Sequence, residues 1–141
     1  MHREEALDAL VTADDITDRV RRRGRWYATW AVVYAAMSSA LTLGVGFVVS
    51  DFALIALMAG WGVAIAALLI YAGRQPVTPP GFGWIHTLGI AGWGVTYSSI
   101  LLIGLEYFPA QPSWWVPGAL LTAVPMLIAA RFVVVRSRGV V

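Results

Sequence analysis

Residues 18–30 read DRVRRRGRWYATW, and within a few positions this stretch changes from dense positive charge to aromatic and apolar character. Five arginines fall between residues 19 and 25, and Trp26, Tyr27 and Trp30 follow at once. Arginines collect on the cytoplasmic flank of transmembrane helices, and tryptophan and tyrosine concentrate at headgroup depth. The stretch therefore predicts the point at which the chain enters a membrane. A nucleic-acid patch is the alternative, but no recognition fold precedes the arginines, so we expect no nucleic-acid partner.

The composition of the whole chain points the same way. Of its 141 residues, 59% are hydrophobic and 13% are charged, and the mean hydropathy is +0.72. These values lie outside the range of ordinary soluble domains. The chain contains no cysteine, which excludes disulfides, thiolate catalysis and thiolate-held iron–sulfur clusters.

Four apolar stretches are long enough to cross a membrane, because a hydrocarbon core about 30 Å thick needs roughly 20 apolar residues. They lie at about 26–49, 52–72, 84–105 and 114–135. Residues 1–25 form a polar arm whose apolar positions, spaced three to four apart, predict a helix. Residues 136–141 form a short tail. Short connections between the spans predict an all-α, polytopic membrane protein with an up-and-down four-helix bundle.

All ten basic residues are arginines, and they fall on the two termini and the middle loop 73–83. The positive-inside rule therefore places both termini and this loop in the cytoplasm, in a multi-pass protein of the plasma membrane. Anionic lipid attracts arginines at this surface. The residues predicted to meet anionic lipid at the interface are Arg19, Arg21, Arg22, Arg23, Arg25, Trp26, Tyr27, Arg131, Arg136 and Arg138.

A shift of 63 residues aligns the chain with itself. Trp30-x-Val32-x-Tyr34 falls on Trp93-x-Val95-x-Tyr97, and shorter matches place 56–57 on 119–120 and 65–67 on 128–130. These matches favour a parallel duplication of a two-helix hairpin, although alanine and isoleucine coincide easily in so apolar a composition.

Polar residues within and beside the spans allow two interpretations. One is a polar path with a cation-attracting outer mouth, formed by Tyr34, Ser38, Asp51, Tyr97, Ser98 and Glu106. The other is that the hydroxyls bond to backbone carbonyls one turn back while the two acids end their spans. His86 has no second histidine or carboxylate at metal-ligand spacing. We expect no metal site, no cofactor and no catalytic residue, since no paired acids, nucleophile triad or phosphate-binding loop is present.

The layout resembles that of the small uncharacterised four-span membrane proteins of actinobacteria, in which a charged arm runs into an Arg-Trp-Tyr boundary such as Arg25-Trp26-Tyr27. The resemblance covers the whole chain in layout and composition and implies no functional residue. The chain also has the size and span number of small multidrug resistance transporters, but it lacks the membrane-embedded glutamate of their first helix. We therefore predict a non-enzymatic membrane protein that self-associates or assists a membrane or cytosolic partner. The alternative is a small dimeric channel or transporter.

Overall fold

The computed structural model describes the backbone of residues 2–23, 25–76, 78–79 and 81–138, and their side chains except at 2, 14, 17–23 and 137–138. These residues form five helices and no strand: α1 (His2–Arg23), α2 (Trp26–Phe47), α3 (Asp51–Gly73), α4 (Phe82–Tyr107) and α5 (Pro112–Arg138). Five side chains predicted at the interface lie outside the described residues, namely Arg19, Arg21, Arg22, Arg23 and Arg138.

Four of the described helices, α2 to α5, are long and apolar enough to cross a membrane. This confirms the predicted all-α architecture with four spans. Local chemistry sets the helix ends: the Ser50 hydroxyl accepts a hydrogen bond from the backbone N–H of Ala53, 3.2 Å away, and caps α3. Gly81 takes φ +73° immediately before α4, a left-handed conformation that glycine adopts without a steric cost.

The helices are packed unequally. The closest pairs are α2 with α5 and α4 with α5, while α3 packs mainly against α2. Within the most apolar window of each helix, 44% of the α2 residues are buried but only 6% of those in α3. The α2 and α5 helices therefore form the centre of the bundle, and α3 lies at its edge.

Small residues explain why α2 is central. Ala31, Ala35, Ser38 and Thr42 follow one another at helical spacing, and all four are buried. Lipid removes most of the hydrophobic drive between helices, so association depends on close backbone approach at such residues. This face of α2 lets α5 come near along its length.

The sequence repeat has a local structural counterpart but no symmetric packing. Trp30 stacks on Tyr34 with ring centroids 5.3 Å apart, and Trp93 stacks on Tyr97 at 5.2 Å. A parallel duplication would relate α2 to α4 and α3 to α5. The contact between α3 and α4 should then match the contact between α5 and α2. The backbones of α3 and α4 come close at few positions, although Trp61 stacks on Trp93, whereas α2 and α5 form the largest contact of the bundle.

The N-terminal helix α1 stands apart from this packing. Among the described residues, α1 makes no contact with a span as extensive as those of α2 with α5, α4 or α3. Its described side chains are exposed, including the apolar Leu7, Leu10, Val11 and Ile16. The arm is thus a helix that presents its apolar positions to the surroundings of the bundle.

Candidate functional site

Hydroxyl groups join α2 to α5 in the interior of the bundle. The Ser39 hydroxyl donates to the carbonyl of Ala119 at 2.7 Å, and the Thr42 hydroxyl donates to the carbonyl of Ser38 at 2.8 Å. Thr122 donates to the same Ala119 carbonyl at 2.8 Å and lies 3.3 Å from the Thr42 oxygen. Each hydroxyl can donate only one proton. A direct hydrogen bond between Thr42 and Thr122 therefore requires one of the two hydroxyls to give up its hydrogen bond to a backbone carbonyl.

Two buried polar atoms lack a hydrogen-bond partner within the described part of the chain. They are Oγ of Ser38, whose side chain is fully buried, and Nε1 of Trp93. A buried polar group without a partner costs about 1–3 kcal/mol. Ser38 lies in the interior of the bundle, where its carbonyl accepts the hydrogen bond from Thr42 while its own hydroxyl finds no partner among the described residues.

Aromatic rings fill the space between α2 and α4. We call Tyr27, Trp30, Tyr34, Trp93 and Tyr97 the aromatic column. Tyr27 stacks on Trp30 at 5.8 Å and Trp30 on Tyr34 at 5.3 Å; Tyr34 meets Trp93 edge-on at 5.4 Å, and Trp93 stacks on Tyr97 at 5.2 Å. Trp93 thus brings the candidate residues Tyr34 and Tyr97 together, in an environment dominated by ring faces.

His86 closes one end of the aromatic column. Its ring stacks on Phe82 at 5.2 Å, meets Trp30 edge-on at 5.2 Å, and places Nδ1 3.4 Å from the Tyr27 hydroxyl. Tyr27, predicted at the lipid interface, is fully buried here, so its ring faces the interior of the bundle. No group of three or more histidine, aspartate and glutamate residues suited to a metal ion occurs in the described ranges.

The residues predicted for an outer mouth lie at the other end of the bundle. Asp51 begins α3 and Glu106 is the last residue but one of α4; both are exposed, as is Ser98. Nearby, Nε1 of Trp114 donates to the Ile100 carbonyl at 3.2 Å. This tryptophan thus fastens the start of α5 to α4.

The arginines with described side chains mark the opposite end. Beside the spans, Arg25 precedes α2, Arg74 follows α3, and Arg131 and Arg136 lie in the last turns of α5; all four are exposed. Trp26 is half-buried and contacts Tyr71 at 6.2 Å between ring centroids. We refer to this side of the bundle, where α2 and α4 begin and α3 and α5 end, as the arginine-rich end.

A cleft between α4 and α5 opens at this end, and sequence reasoning missed it. Its volume is about 360 Å³, and its walls are apolar except for one arginine. Residues that line it include Trp84, Leu88, Pro125, Phe132 and Arg136. Apart from the helical spacing of these residues on two spans, the sequence carries no signal of a cleft between α4 and α5.

Comparison of the chain with protein-family models, curated proteins and solved structures gives no match. The packing and the exposed surfaces of the helices are therefore the basis for a functional assignment.

Proposed function

We propose that this chain is a non-enzymatic integral membrane protein that acts through helix association, with α3 as its contact helix and a second copy of the chain as its partner. The arginine-rich end, including both termini and the 73–83 loop, faces the cytoplasm of the plasma membrane. The low burial of α3, 6% against 44% for α2, carries this proposal. A span that packs so little on its own chain has most of its surface free for another helix.

The outward face of α3 has the composition of a helix contact. Leu57, Leu68 and the residues in register with them face α2, so Ala59, Gly62 and Ala66 fall on the opposite side of the helix and are exposed. A Cβ added at Gly62 would meet nothing within 4 Å, so the packing of the single chain does not require a glycine there. Small residues at this spacing allow two membrane helices to approach closely.

The assay uses the absence of cysteine from the chain. Ala66→Cys, oxidised in native membranes, is expected to form a disulfide dimer, since a residue on the axis of a twofold contact meets its own copy. Leu102→Cys, on the exposed side of α4, is the matched control and should stay monomeric. Equal crosslinking at both positions would show random collision and contradict the proposal.

A second pair of variants tests the role of Gly62. In the Ala66→Cys background, Gly62→Leu is expected to reduce the disulfide dimer several-fold, because a large side chain separates the helices. Gly94→Leu places the same side chain in equally open space on α4 and should leave the dimer unchanged. If a different protein is crosslinked instead of a second copy, and deletion of residues 2–18 removes it, the chain is an accessory subunit.

The dimeric channel or transporter is a weaker alternative. The unpartnered polar atoms of Ser38 and Trp93 favour it, but rings occupy the space between α2 and α4. Liposome flux that falls with Asp51→Asn and Glu106→Gln would support it. Flux indistinguishable from empty liposomes would reject it.

A further inference from the structure

The α4–α5 cleft is an apolar groove that is open towards the lipid. Trp84, Leu88 and Phe132 on its rim are all more than half exposed. Its floor is closed because α4 and α5 meet there at Gly89. A Cβ added to Gly89 would lie only 3.3 Å from Cβ of Ala129. The cleft therefore accepts a slender apolar group from the side without any opening of the bundle.

The length of the cleft matches one leaflet of a bilayer. It runs along α5 from Arg136 to Pro125, a distance of about 16 Å at 1.5 Å per residue. Half of a hydrocarbon core is about 15 Å. At its deep end Pro125 closes on α4, since a Cβ added at Gly92 would lie 3.3 Å from Cβ of Pro125. An acyl chain entering at the arginine-rich end would thus reach close to the bilayer midplane.

Positive charge gathers at the mouth of the cleft. The Arg136 guanidinium lies over the start of α4. A Cβ added to Gly81, the residue immediately before this helix, would be 3.1 Å from Nη1 of Arg136. The start of a helix carries roughly half a positive charge. The two acids carried by the membrane helices, Asp51 and Glu106, lie at the opposite end of the bundle. The charge that the four membrane helices carry at this mouth is therefore positive and complementary to an anion.

We propose that the cleft binds one anionic phospholipid from the leaflet at the arginine-rich end. One acyl chain lies along the apolar walls to Pro125, and the phosphate binds the Arg136 guanidinium, which forms paired hydrogen bonds with phosphate oxygens. Trp84 stands beside the headgroup, at the depth that tryptophan favours. The α3 helix does not line the cleft, so this site is independent of the proposed self-association.

The test is native mass spectrometry of the purified full chain in mild detergent, titrated with phosphatidylglycerol or with phosphatidylcholine. We expect one phosphatidylglycerol per chain, bound more tightly than phosphatidylcholine. Arg136→Gln should weaken phosphatidylglycerol binding about tenfold, the effect of losing a hydrogen bond between charged groups. Arg74→Gln removes an equal charge at the same end of the bundle, but beside α3, which does not line the cleft, and should leave binding within about twofold of wild type.

Filling the cleft provides a second, independent variant. Leu88→Trp places a larger ring in the cleft from its exposed rim, so the core is undisturbed and phosphatidylglycerol binding should fall about tenfold or more. Leu102→Trp makes the same change on the exposed surface of α4 and should have no effect. Wild-type affinity in Arg136→Gln or Leu88→Trp, or equal affinity of the wild type for the two lipids, would overturn the proposal.

Discussion

Gly46, near the end of α2, is the position at which a single methyl group should most disturb the bundle. A Cβ added there would lie within 2.6 Å of three atoms of the Trp115 indole ring, where carbon atoms normally keep about 3.5–4.0 Å. The ring cannot yield cheaply, since Trp115 is fully buried and its Nε1 donates to the Phe108 carbonyl at 3.0 Å. In Gly46→Ala the ring must therefore retreat by about 1 Å and strain or break this hydrogen bond.

The magnitude follows from three contributions. Overpacking costs about 1–3 kcal/mol, and the lost Trp115 hydrogen bond costs about 1 kcal/mol. Replacing glycine by alanine within a helix returns about 1 kcal/mol. We therefore expect Gly46→Ala to lower the free energy of unfolding by about 1–3 kcal/mol.

The assay is reversible unfolding of the monomer in mixed micelles of mild and denaturing detergent, followed by circular dichroism. Gly94→Ala on α4 is the matched control, because an added Cβ there meets nothing within 4 Å; its stability should equal or slightly exceed that of wild type. If Gly46→Ala is as stable as Gly94→Ala, Trp115 does not pack against α2 in the way described.

Two further predictions concern hydrogen bonds between spans. In a double-mutant cycle, Thr42→Val and Thr122→Val should show a coupling of about 0.6 kcal/mol in the same unfolding assay, the average for side-chain hydrogen bonds between membrane helices; additive effects would show that both hydroxyls donate only to their carbonyls. Trp30→Phe keeps a stacked ring but loses the bond from Nε1 to the Leu68 carbonyl, 3.1 Å away, which joins α2 to α3. Amide hydrogen exchange should therefore accelerate in α3 but not in α5, and unchanged exchange in α3 would contradict this role.

The spans and the buried small residues of α2 could be predicted because both depend on local sequence. A run of about 20 apolar residues has few alternatives to a membrane helix, since lipid leaves no other way to satisfy the backbone. Ala31, Ala35, Ser38 and Thr42 recur at helical spacing in the sequence, a pattern typical of a contact face between membrane helices, and all four are buried. Their spacing places them on one side of α2 whichever helix they meet.

The arrangement of the helices could not be predicted, because apolarity in a membrane does not indicate burial. The α3 helix is the most apolar of the four spans and the least buried, whereas α2 is the least apolar and the most buried. Lipid solvates large apolar side chains, while small and hydroxyl-bearing residues pack against protein. Similarly, the contact of Trp93 with both Tyr34 and Tyr97 depends on how α4 is rotated about its axis, and one sequence does not determine that rotation.

The glycines of the spans fall into two groups, those that are crowded by a neighbouring helix and those that face open space, such as Gly62 and Gly94. At Gly46, Gly89 and Gly104 a Cβ would collide with or crowd a side chain of α5, so glycine is needed for the packing of this chain. At Gly62 on α3, a Cβ would meet nothing, although glycine in a helix interior costs about 1 kcal/mol relative to alanine. The packing within the chain does not explain that cost. A second helix against α3 would explain it, just as an anionic lipid would explain why Arg136 lies over the start of α4, where the helix dipole disfavours a positive charge.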